Sequence, residues 1–154
     1  QTKENWLKNK AEISKVINDW AKSWQTKDFK TYINSYSKAE FRHPIKGRYN
    51  AFKTYKRHVF NRSDKPIIEL SNRSILSNGE YVVVTMMQNY DSPIVKDIGK
   101  KTLYMKRNSH YEWKIVAEEW SRINEERRNI AFTPKMRYFT KPNKEDMSND
   151  SESI

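Results

Sequence analysis

Between Trp6 and Trp24 the apolar positions Ile13, Val16, Ile17, Trp20, Ala21 and Trp24 fall at offsets of three, four, seven, eight and eleven. Such offsets gather on one face of a 3.6-residue helix. Lys15, Asn18, Asp19, Lys22 and Ser23 fill the opposite, wet face. A second, shorter helix is predicted after Asp28, a good N-cap, because Phe29, Tyr32, Ile33 and Tyr36 again share one side. Pro44 and Gly47 make residues 37–49 an irregular connection with a short strand around Phe41. A third helix is expected over roughly 50–61, with Phe52, Tyr55, Val59 and Phe60 inward and Lys53, Lys56 and Arg57 outward. Pro66 marks its end.

From residue 67 the period shortens to that of strands. Ile67 to Leu76 reads as one strand, and Asn78-Gly79 is a hairpin turn signal. Tyr81 to Tyr90 reads as the next, with an apolar Val82-Val83-Val84 run expected of a strand covered on both faces. Asp91-Ser92-Pro93 breaks it. Lys100 to Arg107, a turn at Asn108-Ser109, and Tyr111 to Trp120 complete four strands. Helices followed by an antiparallel meander predict an α+β fold, three helices packed on a curved sheet of four or more strands.

After Arg122 the pattern decays, and past Pro142 one Lys stands against four acids. The expected organisation is one domain over 1–121, a partly ordered extension over 122–141 and a disordered acidic tail over 142–154. At 154 residues the chain is long enough to bury a core without staples. Only 36% of residues are hydrophobic, so 5 Trp and 9 Tyr must supply much of the buried area. No apolar run is long enough to span a bilayer. The absence of Cys removes disulfides, thiolate metal sites and thiol nucleophiles from this chain. The net charge of +11 favours acidic partners. Beginning at Gln1, the chain fits equally a product processed after export and a piece of a longer protein.

Trp20-Ala21-x-x-Trp24, Asp28, Tyr32 and Tyr36, then Tyr55-Lys56-x-x-Val59-Phe60, Tyr81-Val82-Val83 and Tyr90 form an ordered set of motifs. Gly99-x-Lys101-x-Leu103-Tyr104, Trp113-Lys114-Ile115-Val116 and Glu119-Trp120 complete it. Over roughly residues 10–121 the set resembles the nuclear transport factor 2-like (NTF2-like) superfamily. Within it, the opening and third-helix motifs are similar to the accessory domain that follows the catalytic domain of bacterial L,D-transpeptidase-like and L,D-carboxypeptidase peptidoglycan enzymes. The catalytic parts of such enzymes use a Cys nucleophile, which this chain lacks. The resemblance therefore implies the non-catalytic module.

It also implies a cone whose wide end opens into a pocket. The expected lining is Trp20, Trp24, Tyr36, His43, Phe60, Tyr90, Tyr104, Glu119 and Trp120, either packed as core or offered as an aromatic platform for a sugar ring or peptide stem. Glu118 and Glu119 are successive on a strand, so one of them points inward, where Arg57 or Lys101 could pair with it. His43 stands in the loop where a cavity enzyme would place an acid or base. His58 and His110 read as surface residues, and Asp91 as a turn residue. Arg42, Lys46, Arg48, Lys53, Lys56 and Arg57, interleaved with Tyr49, Phe52 and Tyr55, form the densest basic stretch. No RNA-binding loop motif accompanies them, so an acidic glycan or phosphate polymer suits the patch better than nucleic acid. No catalytic residue, metal site or cofactor is assigned.

The leading expectation is a non-enzymatic module of the bacterial envelope or periplasm that recognises or positions peptidoglycan, another acidic polymer or a partner protein. Its alternatives are a small cavity enzyme acting on a hydrophobic carbonyl compound, with a cytoplasmic location open to it, and a scaffold that dimerises through its sheet face.

Overall fold

The computed structural model describes residues 2–62 and 65–127. The first helix, α1 (Lys3–Gln25), starts earlier than its apolar face requires because Thr2 caps it. The Thr2 hydroxyl oxygen accepts the Asn5 N–H at 3.1 Å, and Glu4 sits in the first turn. Ile13, Ile17, Trp20, Ala21 and Trp24 are buried, as the period predicts. The chain reverses at Thr26-Lys27, with Lys27 in the left-handed region (φ 61°). Asp28 then caps α2 (Phe29–Asn34), accepting the Thr31 N–H and, at 2.6 Å, the Thr31 hydroxyl.

The expected irregular stretch contains two very short strands, β1 (Arg42–His43) and β2 (Gly47–Arg48), which lead into α3 (Tyr49–Arg62). The meander follows as β3 (Ile67–Asn78), β4 (Tyr81–Asp91), β5 (Val95–Arg107) and β6 (Trp113–Arg127). Its first turn is made by Gly79-Glu80 between the paired residues Asn78 and Tyr81, with Gly79 at φ 65°. β5 begins at Val95 rather than Lys100, and β6 runs to Arg127, past the domain boundary expected at 121. The remainder of the expected extension and the acidic tail lie outside the described residues.

The six strands are ordered β2-β1-β6-β5-β4-β3. All neighbours are antiparallel except β1 and β6, which run parallel at Arg42 and Ala117. Alternation divides the sheet sharply. Val82, Val84, Met86 and Tyr90 of β4 and Val95, Leu103 and Met105 of β5 are buried on an inner face beneath the helices. Val83 is half-buried, because β4 is covered fully only on that inner side. The core between is mostly rings: Trp20, Trp24, Tyr32, Tyr36, Phe41, Phe52 and Phe60 are all at most 5% exposed. Each such ring removes about 150–250 Å² from water. That is how a chain poor in aliphatic residues closes a core.

Candidate functional site

The inner face carries charged and polar residues in phase with the apolar ones. β6 turns Glu118 inward opposite Leu103 and β5 turns Lys101 inward opposite Trp120. The two form a buried ion pair, with Lys101 Nζ 2.9 Å from Glu118 Oε2. From the helical side the Tyr36 hydroxyl donates to Glu118 Oε1 at 2.6 Å. Its single hydrogen is thereby used, so its oxygen accepts the Trp20 indole N–H at 3.0 Å and the Tyr32 hydroxyl at 3.0 Å. A continuous polar chain, Tyr32 to Tyr36 to Glu118 to Lys101, joins the helices to the inner face of the sheet.

Burial pushes the Glu118 carboxyl up, but the Lys101 and Lys56 ammonium groups and the hydrogen bonds from Tyr36 and Lys101 outweigh it and hold it below its ordinary range. Burial brings Lys101 down, opposed in part by Glu118. Burial, and after it the Glu118 charge, raises both Tyr32 and Tyr36 well above the usual phenol value. At neutral pH the cluster is an ionised pair with two neutral phenols as donors.

Lys56 corrects an expectation. It does not face outward with Lys53 and Arg57 but is 1% exposed. Four residues after Phe52 and three before Val59, it belongs to the inward stripe of α3. Its Nζ lies 4.9 Å from the Trp24 ring centroid and 5.7 Å from that of Tyr32. Beside this cluster, Gln88 is fully buried opposite Gly99. The Trp120 ring packs closely against Gly99; a Cβ there would stand 2.8 Å from Trp120 Cζ2 and Cη2 and 2.5 Å from the Ser121 carbonyl oxygen. Asp97, fully buried, receives a two-pronged ion pair from Arg122.

The expected pocket residues separate into two groups. Trp20, Trp24, Tyr36, Phe60 and Tyr90 come together, but as packed core: Trp20 meets Trp24 edge-on at 5.6 Å, and Trp24 meets Tyr90 at 5.5 Å. They present no open aromatic platform. Tyr104 and Glu119 lie on the outer face, bonded to each other and lining a cleft of about 500 Å³ with Glu40, Arg42 and Tyr81. Their neighbours Leu103, Met105 and Glu118 take the inward positions, and alternation sends these two out. Trp120 does face inward, with Lys101 Nζ 5.5 Å from its ring centroid.

His43 is half-buried on the Phe52 ring, and its Nδ1 accepts the backbone N–H of Ile45 and Lys46. Burial lowers it to about 4, so the imidazole is neutral. No carboxylate among the described residues hydrogen-bonds to it. His58 and His110 are exposed. Arg42, Arg48 and Arg57 are exposed and Lys46 and Lys53 half-buried. Tyr49 and Phe52 are buried, leaving Tyr55 as the one half-exposed ring among the three interleaved aromatics, and Lys46 Nζ covers it at 4.2 Å. Lys101, Gln88 and Gly99 were not among the expected pocket residues. The available signal was their phase, since each shares its strand parity with buried neighbours. No group of three or more metal-ligating side chains occurs among the described residues, and none of their helices is long and apolar enough to cross a membrane.

Comparison with known proteins gives this arrangement a family. The sequence profile of the Cds6 C-terminal NTF2-like domain matches residues 12–119. A search of curated protein sequences returns no match. Among solved structures, Bd1075 of Bdellovibrio bacteriovorus is 24% identical with a TM-score of 0.69, over 80% of this chain and 44% of that one. The helical cell shape determining protein Pgp2 of Campylobacter jejuni, in its K307A form, is 25% identical with a TM-score of 0.61, over 68% of this chain and 38% of that one. A putative scytalone dehydratase of Novosphingobium aromaticivorans shares the fold at 11% identity, with a TM-score of 0.71 over 84% of this chain and 93% of that one. The chain thus spans less than half the length of Bd1075 and Pgp2. With its helices on one face of a curved, unclosed six-stranded sheet, it belongs to the Cds6 C-terminal NTF2-like domain family.

Proposed function

We propose that this domain is a non-catalytic accessory module of the bacterial cell envelope that recognises or positions peptidoglycan, or a partner protein, during cell-wall modification. The observation that carries the reading is the 25% identity, over two thirds of this chain, to part of a protein that determines helical cell shape. Three features support it. The chain has no thiol nucleophile of the L,D-transpeptidase kind. Its net charge of +11 suits an acidic polymer. Arg42, Arg48 and Arg57 hold part of that charge on the surface beside β1, β2 and α3.

Insoluble peptidoglycan should sediment the protein at low salt and release it as ionic strength rises, because contacts between exposed charges are screened. Reversing Lys53 and Arg57 to Glu, with Arg48→Glu, should cut retention several-fold without loss of fold. Failure of the wild-type protein to sediment at low salt overturns direct wall binding. A dimer through the outer sheet face has its own support in the exposed Ile67, Leu76, Tyr81 and Ile123. Sedimentation velocity at micromolar concentration tests it, and a single monomeric species would exclude it.

A further inference from the structure

β1 and β2 form a short hairpin at the edge of the sheet, turned by Pro44-Ile45-Lys46. Its register sets Arg42 directly opposite Arg48 and His43 opposite Gly47. Cross-strand partners project to the same side, so the two guanidinium groups share one face. Like charges so placed repel. The backbone beneath them is nonetheless pinned. His43 Nδ1 accepts the Ile45 and Lys46 N–H groups at 3.1 and 3.0 Å, which fixes the turn. Phe41, just before Arg42, and Tyr49, just after Arg48, are both buried and anchor the two ends.

The arginines border a cleft of about 440 Å³, whose wall also includes Lys38, Glu40 and Asn50. Lys38, Arg42, Arg48 and Asn50 are exposed, so their polar groups are open to a ligand. Glu40 is the one acid on this wall, and its carboxylate pairs with Lys106 at 3.3 Å. Among the described residues no carboxylate forms an ion pair with Lys38, Arg42 or Arg48. Three cations against one acid already engaged leave the cleft positive. Each guanidinium offers five N–H donors in a planar fork and no acceptor, which matches the two oxygens of a carboxylate. A neutral ligand would leave the repulsion between the arginines unrelieved. Glu40 and Arg42 also border the cleft at Tyr104 and Glu119, so a polymer held here by one group has room to continue across the outer face.

We propose that Arg42 and Arg48, with Lys38 beside them, form a subsite for a single carboxylate group of a bound ligand. The choice of carboxylate over phosphate rests on the wall-binding reading, because peptidoglycan carries its negative charge as carboxylates. Two sources supply that group: the C-terminus of a short peptide and an acidic sugar.

Two probes separate the sources, N-acetylalanine and glucuronate. N-acetylalanine methylamide and glucose are their neutral counterparts, and inorganic phosphate is the rival anion. Each is titrated into the ¹⁵N-labelled chain at constant ionic strength, with chloride as the balancing anion. At least one carboxylate probe should move the Arg42 and Arg48 Nε–H signals along a saturating curve, and its neutral counterpart should not. Arg42→Gln and Arg48→Gln should each weaken that probe about tenfold, the scale of one charge-assisted hydrogen bond, read on the arginine that remains. Both side chains are exposed and either change relieves the facing charges, so both variants should melt at or above the wild-type temperature. Arg42→Lys keeps the charge without the fork and should recover only part of the lost binding. Lys8→Gln removes the same charge from an exposed position on α1 and should bind as the wild type does. Equal loss in Lys8→Gln, full binding by Arg42→Lys, or tighter binding of phosphate each overturns the carboxylate site. Silence from both carboxylates overturns it too, and sedimentation of the same protein on peptidoglycan would then leave wall binding standing. Carboxylate binding without sedimentation does the reverse.

Discussion

Glu118 and Glu119 are adjacent in sequence and each hydrogen-bonds to a tyrosine, Tyr36 and Tyr104 respectively. One strand step separates them, and with it everything that decides their worth. Glu118 is 1% exposed, between a lysine and a phenol; Glu119 is exposed on the outer face. In water the phenol–carboxylate bond of Glu119 replaces a bond to solvent and contributes little. In the interior the Glu118 bonds are what make its charge tolerable, and removal of any one leaves a desolvated ion behind. The lesson is that chemistry of the same type is structural on one face and marginal on the other, and that burial sets the difference.

The sharpest way to break the comparison is Lys101→Met, which strands the buried Glu118 charge. It should cost about 3–5 kcal/mol in urea unfolding, and the double change Lys101→Met with Glu118→Leu should recover most of that. If the double variant is no better than the single, the pair is not the energetic unit described. Gly99→Ala comes next, at about 1–3 kcal/mol, because the new Cβ meets the Ser121 carbonyl and the Trp120 ring. A displaced Trp120 indole resonance is its signature, and an unmoved resonance would argue against close packing there.

A smaller effect comes from pH. Folded His43 titrates at about 4 and the unfolded side chain near 6.5, so the unfolded state binds more protons between those values. Stability should therefore rise with pH through that window and fall as the solution is acidified through it. Loss of the contribution from Glu118, whose carboxyl is depressed, begins only below its unfolded value of 4.5. His43→Asn keeps an acceptor for the two backbone N–H groups and should flatten the upper window alone. Equal slopes in the two proteins would exclude His43 as its source. Least of all, Glu119→Gln should change stability by no more than about 0.5 kcal/mol.

The helices and the meander were legible because their periodic runs are long and carried by bulky residues. The two strands before α3 were not, since two residues apiece make no period, and their pairing partners, above all Ala117 of β6, are far away in sequence. The last turns of β6 were missed because Ser121 to Arg127 is almost wholly polar, and a strand can be built on pairing to β5 without apolar alternation. At the site, the inward turn of one of two successive glutamates and its pairing with Lys101 followed from strand geometry. Lys56 was misplaced because residue type was given precedence over position on the α3 stripe. Gln88 was hidden in the same way, although it keeps step with Val82, Val84, Met86 and Tyr90.

The Tyr36–Glu118 bond closes a loop of 82 positions, from just after α2 to β6. During synthesis the first two helices must therefore wait for β6 before Tyr36 can reach its carboxylate acceptor and their ring face is covered. Completion of the core waits for β6, and chains ended before Glu118 should be the ones that aggregate or draw chaperones.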